Sequence, residues 1–109
     1  MSDLSYAYEK FSHAAHALAT PSAPLGECLI RAYGDYLVHV FSVGSTIPPR
    51  LADRIEMLRV KMTQRPDPGG LGTIAASVHL MSAEEQKGVR RDIEDLALEL
   101  RDAFKRPRA

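Results

Sequence analysis

The amino-acid sequence predicts an all-α fold, a compact bundle of four to five mostly antiparallel helices without a sheet. Apolar residues recur at steps of three and four in four long segments, the spacing of one face of an α-helix. Short connections rich in proline, glycine and serine separate these segments, and short connections place successive helices side by side. No repeat or low-complexity tract divides the chain, so residues 1–104 are predicted to form one domain followed by a basic tail, 105–109.

The last of these segments, residues 82–104, has the longest uninterrupted helical pattern. Ser82 followed three residues later by Glu85 is a capping box, in which each side chain binds the other residue's backbone amide. An amphipathic helix of this length needs other elements to cover its apolar stripe. The predicted stripe consists of Val89, Ile93, Leu96, Leu100 and Phe104.

The first helix is predicted from about Asp3 to Ala19, and Pro21 ends it because proline cannot donate to the helix. Ser2 or Asp3 is expected to cap its first turn. Its predicted inner stripe is Leu4, Tyr8, Phe11, Ala15 and Leu18.

The second helix is predicted to begin after a Ser22 cap, with Pro24 in its first turn. Gly26 and Gly34 interrupt its pattern, and we expect them to permit close approach of a neighbouring helix. Its predicted inner stripe is Leu25, Leu29, Ala32, Tyr36 and Val40, widened by Cys28, Tyr33, Leu37 and Phe41. This breadth predicts the most enclosed helix of the bundle.

The third helix is predicted from Pro49 to about Gln64, after a loop over 42–49. Its expected inner face is Leu51, Ile55, Leu58 and Met62. Residues 65–72 contain enough glycine and proline for an exposed connection. The β-branched residues of 73–81 would suit a strand, but apolar residues there also keep helical spacing and no partner strand is evident. We therefore predict a short helix.

Composition and charge limit the classes of function. The 109 residues are 45% hydrophobic and 26% charged, with a formal net charge of zero, which argues against long-range attraction to nucleic acid or an anionic membrane. The single cysteine, Cys28, cannot form an intramolecular disulfide and favours a reducing compartment. Residues 1–10 lack the basic start and apolar core of a signal peptide, and the longest apolar run is too short for a membrane helix, so neither feature is expected. A soluble cytoplasmic protein is expected.

Histidine and cysteine offer weak signals for chemistry. His13 and His16 point away from the apolar stripe of the first helix, whereas metal ligands in bundles face inward. Solvated histidines are therefore expected there, even though Glu9 lies nearby. His39 and His79 stand alone in the sequence. Cys28 lies in an apolar pattern beside an acidic residue, which disfavours a reactive thiolate and favours a packing role.

Residues 70–75 match the letters G-x-G-x-x-A of dinucleotide sites. That motif binds a pyrophosphate only when a strand precedes it and a helix follows, and no βαβ unit is predicted here. A weak anion contact at the following helix N-terminus stays open. The sequence thus predicts no catalytic residue, no cofactor and no metal site.

A basic stripe on the third helix is the stronger charge feature. Arg50, Arg54, Lys61 and Arg65 fall within about 60° on a helical wheel. The stripe could meet phosphates or an acidic partner. The alternative is a solvated face balanced by Asp53, Glu56 and the acidic face of the last helix, and this alternative is preferred.

Three runs carry a resemblance that spans most of the chain: AAHALATPSAPLGECLIRAYGDYL, IPPRLADRIEMLRVKMTQR and GTIAASVHLMSAEE. Their order resembles that of a group of short, uncharacterised bacterial all-helical proteins. The resemblance implies a bacterial, cytoplasmic accessory protein, and it brings no activity, cofactor or catalytic residue.

The expected function is that of a small non-enzymatic accessory or regulatory protein that acts through protein–protein contacts, with a homodimer anticipated from the breadth of apolar surface. The candidate partner contacts are Tyr33, Leu37, Phe41, Leu80 and Met81. The alternative for all five is a place in the core. The rival function is nucleic-acid binding through Arg50, Arg54, Lys61 and Arg65.

Overall fold

A computed structural model of the chain describes residues 3–19, 23–40, 47–63 and 73–105, and these residues are almost entirely helical. The elements are α1 (Asp3–Ala19), α2 (Leu25–Ala32), a π-helical segment (Tyr33–Leu37), α3 (Val38–Val40), α4 (Pro49–Thr63), α5 (Thr73–His79) and α6 (Ala83–Lys105). The stretch from α2 to α3 is one continuous helix, so the described part contains five helices and no strand. The predicted all-α bundle is confirmed, including a helix over most of 73–81.

Helices α1 and α6 form the largest helix–helix contact of the bundle. Tyr8, near the start of α1, stacks on Phe104 near the end of α6 with ring centroids 5.3 Å apart, as expected for antiparallel neighbours. The buried face of α1 consists of Ala7, Phe11, Ala14 and Leu18. The predicted stripe was therefore rotated, since Leu4, Tyr8 and Ala15 are only partly buried.

The π-helical segment changes which residues of the second helix face the core. At about 100° per residue, an α-helix that turns Leu29 inward also turns Tyr36 inward and leaves Leu37 at the flank. In a π-helix the hydrogen bonds run from i to i+5, so each residue rotates less. Leu37 is fully buried here, whereas Tyr36 is half-buried. The prediction placed Tyr36 in the inner stripe and Leu37 at its edge. It was wrong about which of the two is more buried, because the wider turn rotates Leu37 into the core.

Helix α6 begins and packs as predicted. The backbone amide of Glu85 donates to the Ser82 hydroxyl at 3.1 Å, and the amide of Ser82 donates to the Glu85 carboxylate at 3.1 Å. The fully or nearly fully buried residues of its stripe are Val89, Ile93, Leu96, Ala97 and Leu100. Phe104 departs from the prediction, since it is 45% exposed and contacts Tyr8 at the end of the bundle.

The two glycines of the second helix differ in their surroundings. A β-carbon at Gly26 would lie 3.1 Å from Nε2 of Gln86 and 3.5 Å from Val78, so this glycine does permit close approach of α5 and α6. At Gly34 a β-carbon would meet nothing within 4 Å, so the expectation of close packing was wrong there. Pro24 precedes α2 as its N-cap residue instead of lying in the first turn. The proposed Ser22 cap lies outside the described residues.

Helix α4 buries its predicted face, Leu51, Ile55, Leu58 and Met62. It contacts α6 along one side and α5 at its end. Helix α5 buries Ser77 and Val78, and the carbonyl of Val78 accepts a 3.0 Å hydrogen bond from the Gln86 side chain of α6. This bond ties the turn at Leu80 and Met81 to the start of α6. Helices α4, α5 and α6 thereby come together at one side of the bundle.

Candidate functional site

Ion pairs join α4 to α6 along one edge. Arg50 Nη1 donates to Oε1 of Glu99 at 2.7 Å, and Arg54 pairs with the other carboxylate oxygen of Glu99. Lys61 donates to the carboxylate of Asp92 at 3.1 Å. Residues later in α4 pair with residues earlier in α6, so the two helices are antiparallel.

The spacing of these charges follows from helix geometry. Arg54 and Lys61 are seven residues apart on α4, and Asp92 and Glu99 are seven apart on α6. Seven residues make nearly two full turns, so each pair of like charges lies on one side of its helix. Glu85 continues the acidic row one further step of seven toward the start of α6. One helix therefore contributes a basic row and the other an acidic row.

Two adjoining cavities lie between these rows. The first has a volume of about 130 Å³ and is lined by Arg54, Met57, Leu58, Lys61, Asp92 and Leu96. The second has a volume of about 270 Å³ and is lined by Lys61, Met81, Glu85, Gly88 and Val89. Lys61 lines both cavities, and we refer to the two together as the α4–α6 groove.

The groove combines an apolar floor with exposed apolar rim residues. Leu58, Val89 and Leu96 are buried beneath it. Met57 stands at the rim with 64% of its surface exposed, and half-buried Met81 lines the opposite end. Methionine adapts its shape readily and is frequent on protein-binding surfaces. Exposed Val60 lies one turn from Met57, and exposed Leu80 directly precedes Met81 in the chain.

Gly88 lines the wider cavity of the groove. It lies inside the 23-residue helix α6, where glycine costs about 1 kcal/mol of helix stability relative to alanine. A β-carbon at Gly88 would meet nothing within 4 Å, so packing within the chain does not require glycine. The missing side chain leaves open space at the wider cavity of the groove.

The predicted partner contacts divide into two groups. Tyr33 and Leu37 are buried in the core, so for these two the alternative of a core role applies. Leu80 is 64% exposed and Met81 lines the groove, so both can reach a partner. Phe41 lies outside the described residues.

The basic stripe is balanced mainly by α6. Arg50 and Arg54 share Glu99, and Lys61 pairs with Asp92, while Arg65 lies outside the described residues. Of the two residues of α4 expected to help, Glu56 instead accepts two hydrogen bonds from Arg59 Nε, at 2.6 and 2.9 Å. These bonds lower the pKa of the Glu56 carboxyl and raise that of Arg59. Each of the three described members of the stripe thus pairs with a carboxylate of α6.

Other candidate residues stand apart from the groove. His13 and His16 are exposed, as predicted, and the His13 ring contacts Tyr36 with centroids 5.5 Å apart. The Cys28 thiol is half-buried and donates to the carbonyl of Ala23 at 3.4 Å. Among residues 3–19, 23–40, 47–63 and 73–105, no three His, Cys, Asp or Glu side chains are placed to hold a metal ion. Residues 70–72 of the G-x-G-x-x-A match lie outside the described part.

Sequence reasoning did not identify the groove. Met57 and Gly88 line its two cavities, and neither residue belongs to a recognisable motif. A signal was available in the acidic row of Glu85, Asp92 and Glu99, which has the same seven-residue period as Arg54 and Lys61. Combining the two rows would have predicted the α4–α6 pairing, although not the gap at Gly88.

Comparisons with known proteins add no family to this description. The chain matches no family model, no curated protein sequence and no solved structure. Within the described residues, every helix is too short or too polar to cross a membrane.

Proposed function

We propose that this chain is a small non-enzymatic accessory or regulatory protein of the bacterial cytoplasm, acting through protein–protein contacts, and that the α4–α6 groove is its contact surface. The observation that carries the proposal is the open space at Gly88, bounded by Met81 and an apolar floor. Depressions with an apolar floor and a charged rim are the usual receptors for side chains of another protein.

The charge arrangement supports protein contact over nucleic-acid binding. A phosphate approaching Arg50, Arg54 or Lys61 would meet the carboxylates of Glu99 and Asp92 at the same place. Nucleic-acid interfaces are strongly positive, whereas this edge of the bundle alternates in sign. A protein partner can match both signs at once.

Photo-cross-linking at Gly88 tests the proposal. We would place a photo-reactive phenylalanine analogue at Gly88 and, as a matched control, at Gly34, because a side chain meets open space at both positions. The groove variant is expected to form one discrete cross-linked species in cells, and the Gly34 variant is not. Absence of a groove-specific product from a folded variant would refute the groove as a contact surface.

A further inference from the structure

We propose that the occupant of the α4–α6 groove is a second copy of this chain, related by a twofold axis parallel to the groove. This inference rests on the proposed function and names its partner. It is drawn from the signs and levels of the charges on the two walls.

The groove has one basic and one acidic wall. Arg54 and Lys61 stand on the α4 side, and Asp92 and Glu99 on the α6 side. A copy turned by 180° about an axis along the groove presents its acidic wall to the basic wall of the first copy, and the reverse. A twofold axis perpendicular to the groove, lying in the plane of the contact face, would instead oppose walls of the same sign. The surface is therefore complementary to itself in one orientation.

The pairs within each chain also define the level of contact. Lys61 and Asp92 lie at the same height, because their side chains are 3.1 Å apart. Rotation about an axis along the groove preserves height, so Lys61 of each copy meets Asp92 of the other. By the same rotation, Arg54 of each copy lies opposite Glu99 of the other. The Lys61–Asp92 level then holds four charges of alternating sign, and each of these charges keeps its partner within the chain.

Charges and apolar groups have separate roles in this dimer. Lys61 and Asp92 are substantially exposed, at 53% and 37%, and exposed ion pairs contribute little affinity but set orientation and register. Burial of Met57 and Met81 supplies the attraction that does not depend on salt. The zero net charge imposes no long-range repulsion between copies.

Complementary charge reversals test the geometry. Lys61→Glu alone and Asp92→Lys alone each oppose like charges twice across the twofold axis, so each variant is expected to weaken the dimer Kd roughly tenfold or more. An equal mixture of the two variants is expected to form a heterodimer. In that heterodimer the new carboxylate at position 61 of one copy faces the new ammonium at position 92 of the other, while the remaining native Asp92 faces native Lys61. Sedimentation velocity gives the molar mass of the species in each of the three samples. The wild type should have twice the chain mass of 12.0 kDa.

Lys87→Glu is the matched control. Lys87 is 56% exposed, similar to Lys61, and pairs with Glu84 on the same helix away from the groove. This variant should dimerise like the wild type. Circular dichroism checks the helix content of every variant. If either reversal unfolds the chain, Met57→Asp at the exposed rim takes its place and should also give a monomer.

Three results would overturn the second copy as occupant. The first is a monomeric wild type at concentrations on the order of 100 µM, where a complex of micromolar Kd is largely formed. The second is a folded charge-reversal variant that dimerises normally. The third is a mixture of the two folded variants that stays monomeric. If the wild type is monomeric and the probe at Gly88 still captures a different protein, the proposed function stands without the homodimer. If the probe captures nothing, both proposals fail.

Discussion

Ser82 and Glu85 exchange two hydrogen bonds of 3.1 Å each, so two of the amides at the start of α6 are satisfied by side chains. These amides would otherwise lack partners within the helix. The two bonds thereby fix the start of α6 at Ser82. Met81, which lines the groove, directly precedes Ser82 in the chain.

Replacing Ser82 with alanine should lower the free energy of unfolding by about 1 kcal/mol, because the amide of Glu85 loses its acceptor. Urea denaturation followed by circular dichroism measures the change. Ser12→Ala inside α1 is the control. It should not lower the free energy of unfolding, because alanine is a better helix former than serine. Equal losses from both variants would contradict the capping role.

Alanine at Gly88 and at Gly26 should have different effects on stability. Gly88→Ala is expected to raise the free energy of unfolding by about 1 kcal/mol, because helix propensity improves and the new methyl group meets no atom within 4 Å. Gly26→Ala should gain less or lose stability, since its methyl group would press on the Gln86 amide that binds Val78. Thermal unfolding of the two variants gives the comparison. A larger gain at Gly26 would contradict the described packing.

Leu37 and Leu80 form a second matched pair. Leu37→Ala should cost about 2 to 5 kcal/mol, because Leu37 is fully buried and its truncation leaves a cavity. Leu80→Ala should leave the monomer's stability nearly unchanged, because most of that side chain faces water. Chemical denaturation at low protein concentration separates these effects from association. Similar losses would show that the turn at Leu80 is packed in solution.

Tyr33 should make stability sensitive to alkaline pH. Burial raises the pKa of its phenol above the usual 10.0, and the nearby Arg59 guanidinium opposes part of that rise. A raised pKa in the folded state means that the unfolded chain releases this proton first, so the contribution to stability is complete below pH 10 and declines as pH rises through the folded pKa. Tyr33→Phe should remove this part of the decline.

Tyrosinate absorbance provides the direct measurement. The chain has four tyrosines, and Tyr33→Phe should remove a component of the absorbance change that titrates above pH 10 in the folded wild type. Tyr6→Phe is the control, since Tyr6 lies on α1 and is half-buried. If the high-pH component persists in Tyr33→Phe and is lost in Tyr6→Phe, its assignment to Tyr33 is wrong.

The fold was predictable from the sequence because its helices are locally encoded. The capping box at Ser82 and the stripe of α4 depend on residues close together in the chain. Local rules predict which helices form. They do not predict the phase of a helix where tertiary packing selects a wider turn, so the order of Tyr36 and Leu37 was wrong.

The candidate site was predictable only in part. The basic row of α4 follows from residue spacing, and so does its balance by acidic residues of α6. The groove itself depends on how far apart α4 and α6 lie and on the gap at Gly88, and both are properties of packing in three dimensions. Leu80 and Met81 were predicted as candidate partner contacts because they are apolar, not because a groove was foreseen.

The wide turn of the second helix should let this chain tolerate the loss of one residue at that point. A π-helical turn holds one more residue than the α-helical turn that would replace it. Gly34 lies within Tyr33–Leu37, is exposed, and has no side chain to lose. Deleting Gly34 should let the segment rewind as an ordinary α-helix with the residues on either side kept near their present directions. Elsewhere in the same helix, removal of a single residue would turn every following side chain by about 100° away from the core.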